Sequence, residues 1–595
     1  MTKKRPPKKR ERVSSSPKTA ANTAGSSGKV VSLPAQPGFQ PWWRSSILLV
    51  PSVLLILCAL DHIWVTEDAF ITFKSVENLW AGFGPNFNRG LRVESFSHPL
   101  WFLILAAMRI LGTEALPIFA AGAGIALSVI GLVAAIQAGR LRLAKLPRLF
   151  PLGALVAVSL PPFWDFASSG LETGLTFAWI GVVSLLLTIV SQQGSPRATS
   201  RLFWALGAAP LIRPDLAVVA APLAALALVL AHRPGNGIRT LAARLARLIV
   251  PGGAWQIFRM GYYGLLIPNT YLAKEGFGSR WDQGLVYLND LYSLYWLYPV
   301  MLVALALTAR SCASVARRPS ERKQIFAACA IPAALVLAGA LHTLIVSRTG
   351  GDFMHARLLL PGLFCMLAGA AVVSLPDSVG LRRLGLSAFL FWMVVIALWV
   401  RPPYRGKISS HGIADERSWY VHRSRTARPV TLEDYSFHHY YRIGQAVAEM
   451  VQRDGISAVY WAHIGITVSA MPPQVTVIDP LALNDHIGSH ITLTARGRPG
   501  HEKIVRAAWF LARYPGGTGL VVRNQLDGEF EMREPPEAIE AAKLVLSSPP
   551  VAELTEAVSA PMSWELFWRN VFRAPRLTKL RIPADPVAAA QGLAR

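Results

Sequence analysis

SSILLVPSVLLILCAL, residues 45–60, contains no charged side chain and runs directly into DHIWVTEDAF, residues 61–70. A hydrocarbon core of about 30 Å is crossed by roughly 17–25 helical residues, so this run, extended by a residue or two, reads as a transmembrane helix. No small-x-small cleavage pattern follows it, so it reads as a retained first span and not as a removable signal peptide. Residues 1–44, beginning MTKKRPPKKRERVSSSPK, are rich in Lys, Arg, Ser, Thr and Pro. Such a composition cannot build a core, and a disordered basic cytoplasmic tail is expected there.

The rest of the chain repeats the pattern. Of its 595 residues 52% are hydrophobic and 16% charged, whereas soluble domains carry about 25% charged residues. The formal charge of +25 would suit a nucleic-acid partner only if it lay along one surface. Instead it falls in short clusters at Arg140–Arg148, Arg197–Arg201, Arg233–Arg247, Arg310–Lys323 and Arg382–Arg383. That is the distribution expected of cytoplasmic loops. Segments 62–115, 163–173, 213–215, 265–282, 347–357 and everything after 400 are then outside. PLWFLILAAMRILG (99–112) is too short to span and would break this alternation, so it is expected to lie at the outer interface. About eleven transmembrane helices result, near 46–62, 116–139, 149–162, 174–192, 202–212, 216–231, 249–264, 284–308, 325–346, 358–376 and 385–400. Helices of this kind satisfy their own backbone hydrogen bonds and tolerate lipid. The four cysteines, Cys58, Cys312, Cys329 and Cys365, form no CxxC pair and are expected to be inert.

Past residue 400 the texture changes. EDYSFHHYYRIGQAVAEMVQRDG (433–455) reads as a helix ending at a glycine cap. ISAVYWAHIG (456–465) and QVTVIDPLAL (474–483) read as strands. The fold class expected is therefore a polytopic α-helical membrane domain over 45–400, with a C-terminal α/β extracytoplasmic domain over 401–595.

Chemistry concentrates in the first outer loop, TEDAFITFKSVENLWAGFGPNFNRGLRVESFSHPLW, Thr66 to Trp101. Adjacent carboxylates, Glu67 and Asp68, open an amphipathic helix that carries Phe70, Phe73, Val76 and Trp80 at helical spacing. Acids beside a membrane span suggest a functional site, although acids also suit any helix start. Asn88, Arg92, Glu94 and His98 follow in a turn-rich stretch. Lys274, Arg348, His355 and Arg357 lie in outer loops, where the positive-inside rule does not account for them. They are candidate site cations. Asp352 is a candidate to pair with Arg357. Trp64, Phe83 and Trp101 are expected in the interfacial aromatic belt.

The string Asp68-Ala69-Phe70-Ile71, Asn78, Gly82-Phe83-Gly84, Phe87-Asn88, Gly90, Val93-Glu94 and Pro99-Leu100-Trp101 resembles the signature of GT-C glycosyltransferases. It is most similar to that of the actinobacterial terminal β-(1→2)-arabinofuranosyltransferase family. Glu67 stands where that family has a first Asp, and Leu91 where it usually has Glu. Arg213-Pro214-Asp215, Pro268-Asn269-Thr270 with Ala273-Lys274, and Gly350-Gly351-Asp352-Phe353-Met354 with Arg357 resemble further family loops. So do Asp415-Glu416-Arg417, Ile478-Asp479-Pro480-Leu481, Asn484-Asp485 and Gly500-His501-Glu502-Lys503.

The resemblance implies transfer of a sugar, arabinofuranose in that family, from a polyprenyl-phosphate lipid to a cell-envelope glycan or glycolipid hydroxyl outside the cytoplasmic membrane. Asp68 would be the base, with Glu67 as helper, and Asn269 would join the substrate contacts. Lys274, Arg348, His355 and Arg357 would hold the leaving phosphate, by bidentate or point-charge contact, and Asp352 would pair with Arg357 or bind sugar hydroxyls. No cofactor is expected, a divalent metal held by Asp68 and Asp352 being the lesser alternative: the leaving phosphate needs cations and no strong acid, and no compact metal-ligand spacing occurs. Gly-rich nucleotide loops and GxSxG elbows are absent from the sequence, which argues against nucleotide-sugar and hydrolase chemistry. The alternative class is a transporter or flippase of a lipid-linked or small polar envelope precursor. It is disfavoured because the halves are unlike and charges crowd the outer loops, away from the midplane.

Overall fold

The computed structural model describes residues 49–595, apart from 234–236, 277, 319–321, 520–522, 525–527, 530–531 and 594–595. The expected tail, 1–44, lies outside the described residues. Among the described residues five helices have the length and apolarity to cross a membrane: Leu116–Arg142, Thr173–Gln193, Leu297–Ala316, Arg322–Arg348 and Val379–Leu398. Shorter apolar helices, Val50–Asp61, Pro99–Leu111, Leu216–Ala231 and Leu360–Gly369, fill the spaces between. The protein is a multi-pass α-helical membrane protein.

Two of these helices touch backbone to backbone. Gly124 and Gly131 on Leu116–Arg142 face Gly174 and Gly181 on Thr173–Gln193. A Cβ at Gly181 would stand 2.0 Å from the Gly131 carbonyl oxygen, and one at Gly174 2.2 Å from that of Gly124. Lipid supplies no hydrophobic drive between helices, so small residues that permit close approach hold such a pair. The contact fixes the start of Thr173–Gln193, and hence the preceding residue, Glu172.

Several expected spans are broken. The 284–308 run becomes Trp281–Tyr292 and Leu297–Ala316, separated by Trp296 in a left-handed conformation (φ 55°). The 149–162 run becomes a two-residue strand and the helices Leu152–Ser159 and Pro161–Ser168. Proline cannot donate to the helix ladder, and it restricts the residue before it to extended backbone. The 202–212 run divides into Pro196–Gly207 and Ala209–Ile212. By contrast Ile238–Tyr263 is continuous and absorbs part of what reads as a cytoplasmic loop.

After residue 400 the helix His439–Asp454 ends at Gly455 (φ 66°), the expected glycine cap. A three-stranded parallel sheet follows in the order Thr476–Ile478, Ala458–Tyr460, Thr518–Gly519. The segments that follow its first two strands reach the first loop, with His463 and Asp479 lining one cavity with Glu67 and Asp68, and parallel sheets bind ligands at that end. Four helices close the chain: Pro536–Leu546, Pro549–Ser559, Trp564–Lys579 and Pro586–Leu593.

Candidate active site

The first loop positions its carboxylates by starting a helix. Thr66 is extended and Glu67–Trp80 follows, so Glu67 and Asp68 occupy the first turn. Unpaired N–H groups and the helix dipole favour negative charge there. Glu67 is buried, and the Gly465 N–H donates to its Oε1 at 2.6 Å. Burial, and then the neighbouring Asp68, push the Glu67 carboxyl up to about 8. The two adjacent acids therefore differ in surroundings, and Asp68 is the more accessible.

Asp68 opens into a cavity of about 140 Å³, which is also lined by Glu67, His98, Lys274, Arg357, Glu416, Tyr440, His463, Asp479 and Arg498. The first loop, two loops between helices and the C-terminal region all contribute to it.

Arg357 is the electrostatic hub. Its Nη1 stands 3.3 Å from Asp68 Oδ2 and 3.8 Å from Asp352 Oδ2, and its Nη2 stands 3.9 Å from Glu172 Oε1. Behind it the charges alternate. Arg213 Nη1 donates to Glu172 Oε1 at 3.0 Å. Arg213 also forks onto Asp215, with both bonds at 2.9 Å, and Asp215 Oδ2 is 2.8 Å from His342 Nε2. Burial pushes Glu172 up, but His98, Arg213 and Arg357 together hold it down at about 2. A buried charge is tolerated when paired in this way.

Backbone strain aims the hub. Ala356 has φ 65°, a left-handed conformation that costs a non-glycine residue roughly 1–2 kcal/mol. It separates His355 from Arg357 and sends them in different directions. His355 Nδ1 meets Asp290 Oδ2 at 2.6 Å, and its Nε2 meets the Tyr295 hydroxyl at 3.1 Å.

The Lys274 ammonium has, among the described residues, no hydrogen-bonded or ion-paired partner, although it lines the cavity. Burial pushes Asp479 up to about 7 against two backbone N–H groups, and Lys274 draws it down. Burial and then Asp68 raise Glu416 well above the carboxylate range. Three acids around Asp68 are thus biased toward neutrality. The cavity's cations, Lys274, Arg357 and Arg498, then face a less negative wall. Among the described residues no three His, Cys, Asp or Glu side chains converge as metal ligands do.

Of the residues singled out from sequence, the cavity brings together Glu67, Asp68, His98, Lys274 and Arg357, with Asp352 directly behind Arg357. The others lie elsewhere. Arg348 is exposed at the end of its helix, outside the cavity. His355 lines a separate small cleft with Asp165 and Asp415. Asn88 exchanges hydrogen bonds with the Val477 backbone, and Asn269 donates to the carbonyls of Ala482 and Leu483. Arg92 donates to the carbonyls of Tyr262, Ala557 and Ala560. Glu94 pairs with Arg259 at 2.6 Å. These four side chains tie the first loop and the loop at Asn269 to their surroundings, which is why polar residues survive burial there.

Trp64 and Trp101 are likewise fully buried and not in an interfacial belt. Their ring N–H groups donate to the carbonyls of Asp165 and Gly170. Glu172, His463 and Arg498 reach the site without a local motif. Glu416 and Asp479 stand in segments whose family resemblance was their signal.

A cavity where first-loop carboxylates, cations and aromatic rings converge beside the membrane helices suits transfer of a sugar from an anionic leaving group. The chain is a membrane glycosyltransferase by the relatives it resembles along nearly its whole length. Residues 424–591 match the AftB family C-terminal domain. The chain is similar to the terminal β-(1→2)-arabinofuranosyltransferase of Mycobacterium tuberculosis, at 29% identity over 88% of this chain and 93% of that one. It is also similar to the terminal β-(1→2)-arabinofuranosyltransferase of Corynebacterium glutamicum, at 28% identity over 94% of this chain and 88% of that one. Among solved structures, ArnT from Cupriavidus metallidurans bound to undecaprenyl phosphate aligns with 93% of this chain and 88% of that one, at 14% identity and a TM-score of 0.41.

Proposed function

We propose that this glycosyltransferase moves a sugar, arabinofuranose in the first instance, from a polyprenyl-phosphate donor to a hydroxyl of a cell-envelope glycan or glycolipid. Transfer takes place on the outer face of the bacterial cytoplasmic membrane, with the N-terminus cytoplasmic and the C-terminal region outside. The observation that carries this reading is the meeting of Asp68, Arg357 and Lys274 in one cavity. The names of the two relatives support the choice of sugar.

In this reading the acceptor hydroxyl attacks the anomeric carbon from the face opposite the phosphate. Its proton passes to the Asp68 carboxylate as the carbon–oxygen bond to phosphate breaks, and the electron pair leaves with the polyprenyl phosphate. Proton removal by a positioned carboxylate contributes about 10²–10⁴-fold. Lys274 and Arg357 stabilise the departing phosphate by point charge and by a planar fork. Glu67, biased to the neutral form, donates a hydrogen bond to a sugar or acceptor oxygen. With the leaving charge met by side-chain cations, no metal or other cofactor is assigned to the reaction.

The test is sugar transfer by membranes containing wild-type protein or Asp68→Asn, supplied with a panel of labelled polyprenyl-phosphate sugars and envelope acceptors. Consumption of one donor, stopped by Asp68→Asn in a protein that stays folded, supports donor class and base together. Consumption of none overturns the lipid-donor assignment. A topology reporter fused after residue 400 and found inside the cell overturns the sidedness.

A further inference from the structure

We propose that the Trp564–Lys579 helix is a membrane-docking element, whose Trp564, Trp568 and Phe572 enter the interfacial layer of the bilayer that the transmembrane helices cross. The three aromatic residues are spaced four apart, so they form one stripe along the helix. They are 78%, 48% and 81% exposed, unusual values for side chains this large and apolar. Pro575, Arg576 and Lys579 continue the same stripe and are exposed. Aromatic rings followed by cations are the composition of a helix lying in a membrane interface.

The opposite stripe shows where the helix is attached. Leu566, Asn570, Ala574 and Leu577 are buried. Asn570 Nδ2 donates to the Gly261 carbonyl at 3.1 Å and to the Ala557 carbonyl at 2.9 Å. The Phe567 ring packs on Gly261 so closely that a Cβ there would stand 2.3 Å from it. Gly261 lies two residues before the end of Ile238–Tyr263, beside Tyr262 and Tyr263. That helix contains the 249–264 run read from the sequence as a span, and it exposes Ile249, Val250 and Ile257. The aromatic stripe is therefore carried on a helix anchored near the end of this exposed apolar helix, where uncovered aromatic rings would meet the membrane interface.

Docking there bears on the site. Arg92, from the first loop, donates to Ala557 and Ala560 at the end of Pro549–Ser559, and its N–H donates to Val558. The helix that touches lipid is thus tied to the loop that carries Glu67 and Asp68, and it sets the height of that loop above the membrane.

The experiment uses full-length protein in lipid nanodiscs. Single cysteines replace Phe572, Trp564 or, as a control on the exposed part of Pro536–Leu546, Glu540, in a background with the four native cysteines replaced. Each is labelled with bimane. Headgroup-proximal spin-labelled lipid and aqueous iodide are the two quenchers. The proposal expects lipid quenching at 572 and 564 at least about threefold greater than at 540, with iodide showing the reverse order, as for a helix seated in the headgroup layer. Iodide quenching at 572 and 564 equal to that at 540 overturns it. Protection from both quenchers also overturns it, because a second protein surface would then cover the stripe.

Discussion

Arg357 Nη1 lies 3.3 Å from Asp68 Oδ2, joining the first loop to a segment 289 residues away. One guanidinium touches the proposed base and also Asp352 and Glu172, so its substitution acts on several acids at once. Arg357→Lys keeps the charge but loses the fork. It is expected to lower kcat by about 10²-fold or more, comparable to loss of a positioned electrostatic group. Steady-state transfer rates, with thermal unfolding to confirm folding, check this. A rate near wild type would remove Arg357 from the reacting centre.

Lys274 separates binding from chemistry. Lys274→Met is expected to raise KM for the lipid donor about tenfold or more, and Lys274→Arg to recover most of the loss, because a point charge on phosphate is what the position supplies. Donor titrations at saturating acceptor give the split. A change in kcat alone would place Lys274 away from donor binding.

Gly465→Ala would bring a Cβ to 2.1 Å from the Glu67 carbonyl oxygen and 2.9 Å from its carboxyl carbon. Backbone cannot yield as a flexible side chain can. A destabilisation of about 1–3 kcal/mol is expected, the usual cost of overpacking. Transfer activity should fall with it. Gly516→Ala, where a Cβ meets nothing within 4 Å, is the control. Thermal unfolding of both in detergent decides, and equal midpoints would contradict the close contact.

Glu67 sets a pH dependence. Its folded carboxyl is raised to about 8 from an ordinary 4.5, by burial and then by Asp68. A raised acid contributes stability that is complete below pH 4.5 and lost as pH rises through about 8, since only the folded state retains the proton in that window. Glu67→Gln should flatten that part of the profile. Apparent Tm measured from pH 5 to 9 checks it, and an unchanged slope would show that Glu67 ionises freely.

Glu94 pairs with Arg259 in a buried setting outside the cavity lining. Breaking such a pair from one side costs about 3–5 kcal/mol. Glu94→Gln should therefore reduce stability while leaving donor KM in the fraction that folds close to wild type. A selective rise in KM would instead make Glu94 a substrate contact.

The first loop shows how far local pattern reaches. Glu67, Asp68, His98, Lys274 and Arg357 were legible because an outer-loop charge is unusual and because short motifs surround each of them. Asn88, Arg92, Glu94 and Asn269, singled out by the same reasoning, lie outside the cavity lining and bond to other parts of the protein. A buried polar residue that holds a loop carries the same sequence signal as one that holds a substrate. Their partners, such as Val477 and Ala557, lie hundreds of residues away, and spacing cannot point to them. The broken spans fail for a related reason. Apolar length predicts solubility in lipid but does not show where Trp296 or Pro161 interrupts a helix.

Hydrophobic run lengths and the clustering of Lys and Arg were enough to define a multi-pass helical membrane protein, because transfer into lipid depends on local composition. Spacing within one loop was enough to put two carboxylates on the first turn of a helix. Which acid is buried, which arginine joins Asp68 to Glu172, and which face of Trp564–Lys579 remains uncovered were decided only by tertiary structure. Burial and through-space charge depend on residues distant in the chain, and they separate Glu67 from Asp68 although the two are adjacent in sequence.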